Sequence, residues 1–101
     1  MTVEYIRYKV APEKREAFIQ SYKNASSQLD ASIYCRAYEL TECEEEVGQF
    51  ILRIEWTSTE EHLIGFRKSD VFPAFFANVK AFFDNIHEMR HYKLTSVNQR
   101  K

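Results

Sequence analysis

The stretch Phe50-Ile51-Leu52-Arg53-Ile54-Glu55-Trp56-Thr57-Ser58-Thr59-Glu60-Glu61 decides the fold. Phe50, Leu52, Ile54 and Trp56 alternate with Ile51, Arg53 and Glu55, the two-residue period of a strand with one buried face. Ser58 with Glu61 three residues later is a capping box, so this strand runs directly into a helix through Leu63, Ile64 and Phe66. Upstream, residues 41–48 are acidic and end in Gly48, a hairpin connection to a strand over residues 32–40 that pairs antiparallel with the first. Further back, residues 3–10 alternate as well, with Val3, Tyr5, Arg7 and Lys9 on one face and Glu4, Ile6, Tyr8 and Val10 on the other. Pro12 and Glu13 suit a first helical turn, and Phe18, Tyr22, Ala25 and Leu29 form one apolar stripe of a helix over residues 12–29. Downstream, Ser69 and Asp70 read as a second cap. A stripe from Phe72 through Phe75, Phe76, Val79, Phe82 and Phe83 to Ile86 marks another helix, and residues 87–95 alternate as a last strand.

The order β-α-β-β-α-β predicts the ferredoxin-like α+β arrangement, a four-stranded antiparallel sheet with two helices on one face. A single domain over residues 1–97 and a short tail at 98–101 account for the chain. Grouping Ile6, Tyr8, Val10, Phe50, Leu52, Ile54, Trp56, Tyr92 and Leu94 against the helices leaves Val3, Tyr5, Ile51 and Met89 outside beside Arg7, Arg53, Glu55 and His91. A mixed face of that kind suits a protein interface, and predicts a homodimer in which two sheets pack together as an α/β barrel.

Composition removes several function classes. Hydrophobic residues make up 45% and charged residues 29% of 101, the balance of a soluble domain. A net charge of −1 leaves no excess to neutralise a phosphate backbone, so no nucleic-acid partner is expected. Gly48 and Gly65 are the only glycines, which excludes a glycine-rich phosphate loop. No apolar run is long enough for a membrane span. Charges at Glu4, Arg7 and Lys9 interrupt any secretory leader, and Cys35 and Cys43 form neither a disulfide scaffold nor a zinc or redox spacing, so a cytoplasmic location is expected.

The junction Ile54-Glu55-Trp56-Thr57-Ser58, the segment Phe66-Arg67-Lys68-Ser69-Asp70-Val71-Phe72 leading into an aromatic helix, and the ending Glu88-Met89-Arg90-His91-Tyr92 resemble the antibiotic biosynthesis monooxygenase family of the dimeric α/β-barrel superfamily. The resemblance spans residues 3–95. It implies a homodimer with one pocket per subunit between helices and sheet, and an oxygenase that uses dioxygen on a planar aromatic or quinol-type substrate without flavin, metal or other cofactor. The family also contains haem-degrading enzymes, isomerase-like proteins and members without established activity. The alternative is therefore a non-catalytic small-molecule-binding or interaction module of the same fold. Haem-degrading members place their iron-ligating histidine where this chain has Phe76, their pocket Asn at Ile6 or Arg7, and their pocket Trp at Phe66, so haem degradation is not expected.

Within that frame His62, one turn into the helix after Trp56, is the leading acid/base candidate for deprotonating a phenolic substrate. His91 is expected on the dimer-facing side, pairing with Glu55 or transferring a proton. Arg7 either joins Arg53 and Glu55 in an ion network or stabilises a phenolate. Trp56, Phe66, Phe76 and Tyr92 are expected to line the substrate pocket. His87 and His91 lie about 13 Å apart on a strand, too far to share an ion. No other His, Cys, Asp and Glu grouping has a zinc spacing, so no metal site is expected.

Overall fold

The computed structural model describes all 101 residues. Strand β1 (Thr2–Lys9) leads through a 3-10 turn at Pro12–Lys14 into helix α1 (Arg15–Ala31). Strands β2 (Cys35–Glu42) and β3 (Gln49–Trp56) form a hairpin. A π-helical segment (Glu61–Phe66), helix α2 (Phe72–Val79) and a 3-10 turn (Lys80–Asn85) then lead to β4 (Ile86–Lys93). The sheet order is β2-β3-β1-β4, with every neighbouring pair antiparallel. This is the ferredoxin-like α+β fold expected from the strand and helix order. No helix is long and apolar enough to cross a membrane.

Helix α1 buries Phe18, Tyr22, Ala25 and Leu29, the stripe its spacing predicts. Phe18 is the hub of the core, with ring centres 4.7 Å from Tyr8, 4.7 Å from Phe50 and 5.1 Å from Phe82. At the start of α1, Arg15 grips Glu42 at 2.6 Å, and Glu42 also accepts the Gly48 N–H at 3.2 Å, which ties helix, strand end and hairpin together. Gly48 is required there. Its φ is +88°, and a Cβ would lie 2.2 Å from the Val10 carbonyl oxygen. Strand β2 starts three residues later than the sequence suggests, because Ser32 ends α1 through its N–H to the Leu29 carbonyl and its Oγ then accepts the Tyr34 N–H.

The region after β3 departs from a plain α-helix. Ser58 Oγ accepts the Glu61 N–H at 3.0 Å as the capping pattern requires. The turn it opens is π-helical, however, and the Arg67 N–H reaches the His62 carbonyl at 3.3 Å. Ser69 and Asp70 do not cap α2. Ser69 Oγ instead donates to the Phe66 carbonyl at 2.7 Å and closes the π-helical segment.

Strand β4 corrects the facing assigned from sequence. Ile86 lies opposite Tyr8 and faces the helices, but the register shifts at His87, so that Met89 pairs with Ile6, His91 with Glu4 and Tyr92 with Val3. This β-bulge inverts the alternation for the rest of the strand. Met89 and His91 therefore point toward the helices. Tyr92 lies on the outer face, its ring 5.4 Å from that of Tyr5.

Candidate functional site

Between the helices and the sheet lies a cavity of about 470 Å³, inside the range of small-molecule sites. Its walls are Ile6, Ile54 and Met89 from the sheet and Phe66, Phe72, Phe75, Phe76, Val79 and Phe83 from the helical side. The aromatic excess of the second helical region thus divides. Phe82 is buried in the core against Phe18, while Phe72, Phe75, Phe76 and Phe83 face the cavity. Trp56, Phe66 and Phe76 stand in the pocket wall where the sequence places them, and Tyr92 does not.

The polar groups gather at one end. Glu4 from β1, Trp56 from β3, His62 from the π-helical segment and His91 from β4 form a connected cluster. Trp56 Nε1 donates to Glu4 Oε1 at 3.0 Å, and the Trp56 ring stacks on His62 at 4.3 Å with 12° between planes. His62 Nδ1 and His91 Nε2 share a hydrogen bond of 2.7 Å, and His62 Nε2 lies 3.6 Å from Glu4 Oε1. Glu4 is 2% exposed and His62 4%. The exposed Arg67 lines the same cavity. On the wall nearer the core, the hydroxyls of Tyr8 and Tyr22 bond to each other at 2.5 Å, and burial pushes Tyr8 up to about 12 and Tyr22 further up.

Burial sets the electrostatics. It pushes the Glu4 carboxyl up to about 7, partly opposed by the Trp56 N–H and the charge of Arg67. It pushes His62 down to about 3, helped by Arg67 and His91, and lowers His91 as well, with Arg67 adding to the effect. Both imidazoles stay neutral at pH 7. Glu4 titrates near neutrality, where a group is able both to accept and to return a proton.

A family model described as antibiotic biosynthesis monooxygenase matches residues 1–78. The chain belongs to this family. Its fold recurs in a Bordetella bronchiseptica structure that bears the family's name, at 18% identity and TM-score 0.76, covering 93% of this chain and 96% of the other. A conserved protein from Methanosarcina mazei matches at 20% identity and TM-score 0.76, over 93% of this chain and 92% of its own. A Deinococcus radiodurans structure bearing the family's name matches at 12% identity and TM-score 0.74, over all of this chain and 99% of the other. Identities this low establish the fold alone. Among curated proteins none matches the sequence.

Two sequence expectations about the polar residues change in this family member. Arg7 lies on the outer face, paired with Ile51 and Glu88, and does not reach the pocket. Arg67 supplies the cation at the pocket instead. His91 does not meet Glu55, which pairs with Arg53 at 2.7 Å on the opposite face. The sequence reading missed Glu4 as a site residue, although its alternation put Glu4 on the helix-facing side beside Ile6 and Tyr8. A lone carboxylate on an otherwise apolar strand face was the available signal.

Proposed function

We propose that this family member is a monooxygenase that holds a planar aromatic or quinol-type substrate in the cavity and oxidises it with dioxygen. The observation that carries the reading is a pocket whose walls are aromatic and aliphatic and whose polar groups, the proton-accepting Glu4 and the hydrogen-bonding His62, stand together at one end. A flat ring system lies against Phe66, Phe72, Phe76 and Met89 with its hydroxyl at that end. Glu4 accepts the substrate proton, and His62, held by Trp56 and His91, stays neutral and hydrogen-bonds the same oxygen. The electron-rich anion then reduces dioxygen.

The substrate supplies all the electrons. For an anthrone-type methylene, the carbon loses two hydrogens and gains one oxygen as a carbonyl, while the second oxygen atom leaves with those hydrogens as water. The outer sheet face, with Tyr5, Arg7, Ile51, Arg53 and Tyr92, is the surface on which two chains pair as a homodimer.

Oxygen uptake with a panel of anthrones and naphthoquinols tests the reading. The expected result is one dioxygen consumed per product, with one labelled oxygen atom incorporated. Glu4→Gln lowers turnover about 100-fold, and His62→Ala lowers it less. Saturable binding of the panel with no oxygen uptake would overturn catalysis and leave a binding module of the same fold.

A further inference from the structure

We propose that Glu4, His62 and His91 form a site for one divalent first-row transition-metal ion at the polar end of the pocket. Three separate elements, β1, the π-helical segment and β4, deliver these side chains to one point. One ligating atom from each lies within 4.8 Å of the other two. His62 reaches His91 at 2.7 Å through Nδ1 and Glu4 at 3.6 Å through Nε2. An ion with bonds of about 2.1 Å spaces its ligand atoms roughly 3.0–3.4 Å apart and takes one ring nitrogen from each histidine. His62 now turns Nδ1 to His91 and Nε2 to Glu4, so ligation by all three needs the His62 ring and the Glu4 carboxylate to adjust until a single His62 nitrogen meets both partners, from a starting spread within 4.8 Å.

Two imidazoles and a carboxylate are a donor set for Zn²⁺, Fe²⁺ or Co²⁺ rather than for Mg²⁺ or Ca²⁺. The surroundings fit ligation. Trp56 fixes Glu4 through its indole N–H and fixes His62 by stacking, the outer support that orients metal ligands. Three protein ligands leave coordination positions free, and because Glu4 and His62 line the cavity those positions open onto it. Arg67 lines the same end and raises the cost of a second cation, which leaves the filled site with an excess of positive charge and a preference for an anionic ligand such as a phenolate.

Metal binding does not depend on the oxygenase reading. Where both hold, the ion and the substrate proton compete for the same lone pairs. The test uses the full chain, stripped with chelator and titrated calorimetrically with Zn²⁺, and with Co²⁺ followed by visible absorption. The expected result is one ion per chain at micromolar Kd or tighter, with Co²⁺ bands of a site holding fewer than six ligands. His91→Ala, which truncates a half-buried residue on an edge strand, is expected to weaken binding at least tenfold with the circular dichroism spectrum unchanged. His87→Ala, on the same strand but exposed, retains it. Absence of stoichiometric binding by the wild type, a Co²⁺ spectrum like that of the hexaaqua ion, or loss of binding in His87→Ala but not His91→Ala would overturn the site. The Co²⁺ spectrum needs no variant and decides the matter even where a substitution unfolds the chain. Oxygen uptake by the stripped protein is read separately, so failure of the metal site and failure of the oxygenase reading are distinguishable.

Discussion

Glu4 sits on β1 between the helices and the sheet, with Ile6 and Tyr8 following it on the same face, and its burial makes the proton on its carboxyl part of the folding equilibrium. The rise from the ordinary 4.5 to about 7 is worth on the order of 3 kcal/mol. The folded chain keeps a proton that the unfolded chain releases, so this stability is present below the ordinary carboxyl value and is lost as pH rises through 7. His62 acts in the opposite sense. Its neutral form is favoured in the folded chain, so its contribution is present above 6.5 and is lost as pH falls toward about 3. In the metal-free protein, Glu4→Gln therefore melts several degrees above the wild type at pH 8, and the gap closes by pH 5. Thermal melts at the two pH values check this, and equal melting at pH 8 would show that Glu4 is not held as a buried acid. The sequence placed Glu4, His62 and Trp56 on the correct elements. It did not reveal their convergence, because a cluster assembled from three elements leaves no spacing to read.

At the scale of the element, β1, α1 and β3 were legible because each keeps an unbroken period on the side that faces the core, although Val3 and Glu55, read as outer-face residues, are buried as well. The β4 strand was not. Its phase depends on one unpaired residue at His87, and a one-residue slip exchanges the faces, which moved His91 into the site and Tyr92 out of it. The capping box at Ser58 was readable, while the π-helical turn that follows arises from packing and leaves no mark in the residue pattern. Gly65 in that turn lies against Tyr34, and a Cβ there would come within 2.8 Å of the ring. Gly65→Ala is accordingly expected to displace Tyr34 and loosen the segment that carries His62, costing about 1–3 kcal/mol. Gly48→Ala meets a carbonyl oxygen and a positive φ, and costs more. Denaturant melts of the two variants check the order, and a Gly65→Ala protein as stable as wild type would mean the segment shifts freely.

At the scale of the whole molecule, the helices cover one face of the sheet and leave the other to Tyr5, Arg7, Ile51, Arg53, Arg90 and Tyr92. Ile51 is 41% exposed and Tyr92 46%, on a surface that also carries arginines. Its Tyr5, Arg7, Ile51 and Arg53 part is legible in the alternation of β1 and β3, whereas the sequence assigns Tyr92 to the helix side. If this face joins two chains, sedimentation gives twice the 12.0 kDa chain mass, and Ile51→Lys reduces it to the single-chain value. A wild-type mass of one chain at micromolar concentration would refute the dimer.

The central claim is that the cavity beside Trp56 receives a planar aromatic molecule, and the chain's single tryptophan stands in the cavity wall as its own reporter. The most direct measurement is a titration of the metal-free protein with an anthraquinone, followed by Trp56 emission. The account predicts saturable quenching at one molecule per chain; emission unchanged at concentrations where the quinone is soluble would contradict it.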